Sequence, residues 1–213
     1  MDKTLDLTER STTLCDMKNT TDTYQRILES AQELIHASSY SDVGVAAICK
    51  KAKVQKGSFY HFFSSKQDLT LAVIDKNSAD MKAYVIDQAF QPSLSPLERI
   101  QRFFDLIIET QIRIHQQSDR VYGCPFGNLA TEMSTQDEGI RTRLGTSFTN
   151  LEGLMAQTLQ EAVDDKEIEH VNSVDHTAQA MLAYFQGILL MAKTQNDPAI
   201  LKQLVPAALK IRL

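Results

Sequence analysis

The sequence predicts an all-α protein, and three observations carry that prediction. Apolar residues recur at three- and four-residue spacings in one segment after another, as the face of an amphipathic helix requires. Helix-start signatures stand ahead of most of those segments. Aromatic residues make up only 7% with no Trp, and the β-branched alternation of a sheet is scarce. With 43% hydrophobic residues, 23% charged residues, 8 Gly and 5 Pro in 213 positions, collagen-like, low-complexity and wholly disordered chains are excluded. The length suits one large or two small domains with a proper core.

Residues 1–19 show no period and read as a flexible arm. Tyr24, Ile27, Leu28, Ala31, Leu34 and Ile35 then form a helical stripe behind a Thr20, Thr21 or Asp22 cap. Val45 to Val54 and Gln55 to Phe62 fit two short helices. Ser65-x-x-Asp68 resembles a capping box opening a helix from Lys66 towards Ala89. After the break at Pro92 to Pro96, Ser95-Pro96-Leu97-Glu98 combines a hydroxyl cap, a first-turn proline and a third-position carboxylate. Its helix shows Leu97, Ile100, Phe104, Ile107 and Ile114 on one face. Thr135-x-x-Glu138 is read as the start of the next, striped by Ile140, Leu144, Phe148, Leu151, Met155 and Leu159. Asp164 to Glu169 reads as a solvated acidic loop. Ala178 to Ala192 is apolar nearly all round, so it needs cover on most sides. Asp197-Pro198 opens a last helix that Pro206 is expected to bend. The total is about nine helices.

Charge divides the chain. The formal net charge is -5, yet residues 18–66 carry +3 and residues 67–213 carry -6. Lys50, Lys51, Lys53, Lys56 and Lys66 concentrate the positive charge beside aromatic and hydroxyl residues. Such a basic module on an acidic body suits local contact with a polyanion. Cys15, Cys49 and Cys124 form an odd set without C-x-x-C spacing, so no disulfide framework or zinc knuckle is expected. No metal or cofactor site is expected either; Glu167-x-x-His170 is half a motif in an acidic loop. Phosphate-loop, dinucleotide and nucleophile-elbow motifs are absent, which argues against an enzyme.

Two short helices flanked by longer ones read as a helix-turn-helix, because isolated short helices are marginal unless packed. Along the second, Phe59, Phe62 and Phe63 are expected to face inward. Lys56, Ser58, Tyr60 and His61 are expected to reach a DNA groove or its phosphates, with Gly57 permitting close approach. Lys66 opens the following helix as a phosphate clamp. The stretch from Val45 to Leu69, above all Gly57-Ser58-Phe59-Tyr60-His61-Phe62-Phe63-Ser64-Ser65-Lys66, resembles the DNA-binding motif of the tetracycline-repressor (TetR) family. The resemblance implies a helix-turn-helix domain over 20–66 and a helical ligand-binding and dimerisation domain over 67–213. It also implies a homodimer on a double-stranded operator, paired through the last two helices. DNA contacts carried over are Thr21, Thr23, Lys53, Gln55, Lys56, Gly57, Ser58, Tyr60, His61 and Lys66. The chain departs from the motif at Gly44, where a capping Thr is usual, at Lys53 in the Gly position of the turn, and at Gln55, which replaces a Ser or Thr cap.

In the second half, aromatic and Met residues exceed what a spacer needs. Phe103, Phe104, Ile107, Phe126, Met133, Phe148, Met155, Tyr184, Phe185 and Ile188 are expected to line an apolar effector pocket, with Gln111, His115 and Asn128 as polar anchors. Gly123-Cys124-Pro125-Phe126-Gly127-Asn128-Leu129-Ala130-Thr131-Glu132 resembles a segment of one branch of the family. Some members of that branch respond to electrophiles or oxidants through a cysteine at this place. The resemblance implies a reactive Cys124 at a helix start, its thiolate favoured further by Lys193. The alternative is a small buried thiol and a snorkelling lysine. A repressor released by a small molecule or electrophile is the expected function, cytoplasmic and without membrane contact; a helical interaction module that does not bind DNA is the alternative.

Overall fold

The computed structural model describes residues 7–169 and 171–213, with side chains described from Thr21 onward apart from His170. Every regular element among them is helical: α1 (Leu7–Ala37), α2 (Val45–Ala52), α3 (Lys56–Phe62), α4 (Lys66–Met81), a π-helical segment Lys82–Ile86, α5 (Asp87–Ala89), α6 (Pro96–Ser118), α7 (Pro125–Met133), α8 (Glu138–Asp164), α9 (Val174–Gln195) and α10 (Ala199–Ala208). α4, the π segment and α5 form one continuous rod, as the Lys66-to-Ala89 reading anticipated. The chain divides into two compact units, Met1–Val73 and Ile74–Leu213. That division lies seven residues beyond the expected boundary at 66, inside α4 rather than at its start.

The expected arm is helical from Leu7; residues 1–6 lie outside the described ones. Nothing between Leu7 and Ala37 breaks a helix, since the segment contains neither Gly nor Pro. Once the packed part of α1 has met the cost of nucleation, each further turn adds a backbone bond at little cost.

In the first unit the stripe on α1 buries Ile27, Leu28, Ala31 and Ile35 against Ile48 of α2 and Phe59 of α3. α2 starts after Gly44, an extended cap residue that offers no side-chain bond, and stops at Lys53, which is left-handed at φ 55° and ψ 47°. Lysine there costs roughly 1 kcal/mol relative to glycine.

The second unit packs α6, α8, α9 and α10 around Ile100, Phe103, Phe104, Met155, Leu159 and Phe185. The Ser95 capping box is present, with the Ser95 N–H donating to the Glu98 carboxylate at 2.9 Å. The start of α8 differs from expectation. Asp137, not Thr135, caps it, accepting the Ile140 N–H at 2.9 Å. Asp137 sits one residue before the helix, where its short carboxylate reaches the free amides of the first turn. The acidic loop is exposed at Asp164, Asp165, Lys166, Glu167 and Glu169, as expected, and the Glu167 carboxylate accepts the Leu97 N–H at the start of α6. The π segment had no signal in the sequence; it holds Val85 in the core and leaves Tyr84 67% exposed.

Candidate nucleic-acid interface and effector site

The reading edge of α3 follows from the packing of its other edge. Phe59 is fully buried and Phe63 nearly so. Tyr24 of α1 stacks on Phe63 with ring centres 5.1 Å apart and meets Phe62 edge-on at 5.9 Å. With these rings fixed, the 3.6-residue period turns Lys56, Gly57, Tyr60 and His61 outward; all four are exposed, and Tyr60 retains 57% of its surface. Ser58 is half-buried, while Gln55 and Lys53 are exposed at the turn. Gln55 caps α3 through extended backbone alone, with no side-chain bond. A Cβ at Gly57 would meet nothing within 4 Å, so glycine is not required there by the protein's own packing.

The cations of the module differ in availability. Lys51 pairs with Glu33 of α1 at 2.8 Å. Lys66 donates to the Tyr40 carbonyl and lies 3.9 Å over the Tyr40 ring, so its ammonium already has protein partners at the mouth of α4. Lys50, Lys53 and Lys56 are exposed. Thr21 is exposed at the expected contact region of α1, and the Thr23 hydroxyl accepts a bond from Arg26 at 3.1 Å. Cys49 is buried within α2, and burial pushes its thiol up despite the nearby Lys56 charge.

In the second unit the expected apolar lining divides in two. Phe103, Phe104, Met155, Phe185 and Ile188 are buried in the main core, with Phe104 and Phe185 ring centres 4.6 Å apart. Phe126 and Met133 are buried on α7, and half-buried Phe148 meets Phe126 edge-on at 6.4 Å. Ile107 is half-buried, and the Tyr184 hydroxyl donates to the Leu204 carbonyl at 3.3 Å.

The polar anchors are engaged with the loop between α6 and α7. Gln111 is buried and holds Gly123 from both sides: its amide donates to the Gly123 carbonyl at 3.2 Å, and its carbonyl accepts the Gly123 N–H at 3.3 Å. Asn128 donates to the Tyr122 carbonyl at 2.8 Å. Asn196, which sequence reasoning missed, accepts the Val121 N–H and donates to the Asp119 carbonyl. Its signal was available: Asn is favoured in the left-handed conformation that closes a helix, and Asn196 closes α9 at φ 52°. Gly123 itself has φ 74°, where a side chain would be strained. His115 is half-buried, 3.9 Å from the Asp119 carboxylate.

This clasped loop delivers Cys124 to the start of α7, as expected. Its sulfur accepts the Gly127 N–H at 3.4 Å and faces the Gln186 amide at 3.5 Å. The expected depression of its pKa is overturned. Although some Cys124 surface stays accessible, enclosure of the sulfur pushes the thiol up and outweighs the Gly127 and Phe126 amides and Gln186. The Lys193 ammonium donates to the Asn128 side-chain oxygen at 3.0 Å and is not among the groups that act on the Cys124 thiol. Gln186 is the second residue that sequence reasoning missed. It lies within an apolar helix, and nothing local marks it as a partner of sulfur.

Residues 27–73 match "Bacterial regulatory proteins, tetR family", and residues 96–208 match "Tetracyclin repressor-like, C-terminal domain". The transcriptional regulator AcuR of Cereibacter sphaeroides is 33% identical, the match covering 82% of this chain and 78% of that protein. An uncharacterised HTH-type transcriptional regulator in the lacX 3' region of Lactococcus lactis is 29% identical, over 88% of this chain and 91% of its own length. Among solved structures, the regulatory protein TetR from Rhodobacter sphaeroides superposes with a TM-score of 0.81 at 30% identity, covering 90% of this chain and 99% of that one.

Proposed function

Since the chain belongs to the TetR family of DNA-binding transcriptional regulators, we propose that it represses transcription as a homodimer on a pseudo-palindromic operator, and that a small-molecule effector releases it. The observation carrying this reading is the two-sided α3. One edge is sealed by Phe59 and Phe63, and the other presents Lys56, Tyr60 and His61. A helix held on its apolar edge and polar on the other suits insertion in the major groove, with hydroxyl and ammonium groups reaching flanking phosphates.

Pairing is supported by α9 and α10. Ala183, Gly187, Leu190 and Met191 are exposed on α9, with Leu190 at 64%, although an apolar helix in water needs cover. A Cβ at Gly187 would meet nothing within 4 Å, so a second helix can come close there. A twofold-symmetric pair reading one face of a duplex requires half-sites about 34–36 Å apart, one turn of DNA.

The test is DNA selected from a random pool, followed by titration of wild type, Lys56→Ala and Tyr60→Phe across a salt series. Wild-type affinity should fall steeply with salt, and both variants should bind more weakly with unchanged helix content. Variants indistinguishable from wild type would overturn the assignment of α3.

The effector is proposed to act on the second unit around α6, α7 and α9, placing the chain in the branch that carries the Gly123-to-Glu132 segment. Cys124 is the point at which an electrophile would attach, as a neutral thiol that ionises only during attack rather than as a resting thiolate. N-ethylmaleimide should therefore release DNA from wild type and not from Cys124→Ser. Equal release from both would leave a non-covalent effector as the reading.

A further inference from the structure

We infer that Arg26 is a positioning residue for DNA recognition: it aims α3 by gripping the end of α2, without itself touching DNA. The inference rests on α3 being the reading helix. Arg26 extends from α1 and is half-buried, and each side of its guanidinium has a partner. Nη1 donates to the Ala52 carbonyl at 3.3 Å, twenty-six residues away in the chain, and Nη2 donates to the Thr23 hydroxyl at 3.1 Å. Nε is sealed from solvent 3.2 Å from the Asp22 carboxylate, an ion-pair distance without hydrogen-bond geometry.

Ala52 is the last residue of α2, and its carbonyl is one of the four that a helix end leaves without an intrahelical partner. The next residue, Lys53, takes the left-handed conformation that turns the chain, and α3 begins three residues later at Lys56. The turn's own bonds, Lys53 N–H to the Lys50 carbonyl and Val54 N–H to the Cys49 carbonyl, fix it only to α2. Arg26 ties that pivot to α1, which also carries the Tyr24 ring against Phe62 and Phe63. The planar fork matters, because a single ammonium cannot hold Ala52 and Thr23 together with the same fixed angle. At the adjacent residue of α2, Lys51 pairs with Glu33, a tie that a lysine suffices to make.

A small rotation of α3 about this pivot displaces the groups it carries into the groove relative to base edges, whereas a phosphate contact tolerates it better. Loss of the tie should therefore reduce discrimination more than general DNA affinity.

Arg26→Met keeps the apolar stem and removes the fork; Arg26→Lys keeps the charge. Full-length dimers of both are titrated with selected operator and with random DNA, each across a salt series. Arg26→Met should lower the ratio of operator to random-DNA affinity about tenfold, the scale of one charge-assisted bond, with an unchanged salt slope. Arg26→Lys should restore little of that ratio. A salt slope reduced by about one would make Arg26 a phosphate contact and overturn the proposal. So would equal loss on both DNAs, an unchanged ratio, or full recovery in Arg26→Lys. If Arg26→Met fails to fold, the Arg26→Lys ratio decides alone, since that variant retains charge and stem.

Discussion

The reading head and the effector half are built from the same kind of helix, yet they use their aromatic residues in opposite ways. In the head, Tyr24, Phe59, Phe62 and Phe63 form a small wedge whose purpose is to turn Lys56, Tyr60 and His61 outward. In the effector half, Phe103, Phe104 and Phe185 fill the centre of the core. Polar side chains follow the same division. In the head most cations stay at the surface, while Gln111, Asn128 and Asn196 turn inward to hold one loop. A surface that reads a polyanion must expose its chemistry, and a site that recognises a small molecule must enclose it.

The contrast breaks first if the wedge is removed. Phe59→Ala should cost the head about 3–5 kcal/mol and abolish operator binding, seen as an earlier unfolding transition and a lost gel shift. Phe104→Ala should cost a similar amount in the second unit, seen by chemical denaturation. A loss below about 1 kcal/mol at either site would mean that the ring is not a core element.

The head was legible because its constraints are local. Gly57 through Lys66 carries the recognition segment in ten consecutive residues, and the outward set follows from one helical period. The core of the effector half was partly legible, since its stripes named Ile100, Phe104, Leu144, Met155 and Leu159, all buried. Three features were hidden because they depend on residues distant in sequence. Asn196 reaches Val121, Gln186 reaches Cys124, and Glu167 reaches Leu97, across sixty to seventy-five positions. The thiol of Cys124 was misjudged for a related reason. A helix start favours a thiolate, but burial of the sulfur, with Gln186 of α9 beside it, raises the thiol, and no local pattern marks that contact. The expected partner Lys193 hydrogen-bonds Asn128, a residue inside the very segment that suggested the pairing.

Lys53→Gly should stabilise the head by about 1 kcal/mol by relieving a left-handed lysine, while removing one positive charge near DNA; thermal melting and operator titration read the two separately. A more stable protein with weaker DNA binding is the expected combination. For Cys124 the pH dependence has a definite sign. The folded state holds the thiol proton more tightly than the unfolded chain, so wild type should lose stability relative to Cys124→Ser as pH rises through the thiol range. Alkylation of Cys124 should likewise accelerate only at higher pH than for an exposed thiol. Identical pH profiles for the two proteins would contradict the enclosed thiol. The smallest effect belongs to Arg143→Ala, which removes an exposed pair with Asp75 at 2.5 Å. It should cost less than about 1 kcal/mol at moderate salt and less still at high salt.

In the proposed complex two copies of α3 enter adjacent major grooves of one duplex. Guanine-methylation interference on the selected operator tests it most directly. Two interference clusters should appear, centred about 10 base pairs apart on one face of the helix and weakened together in Tyr60→Phe. A single cluster, clusters out of phase with the helical turn, or a pattern indifferent to Tyr60 and Lys56 would contradict it.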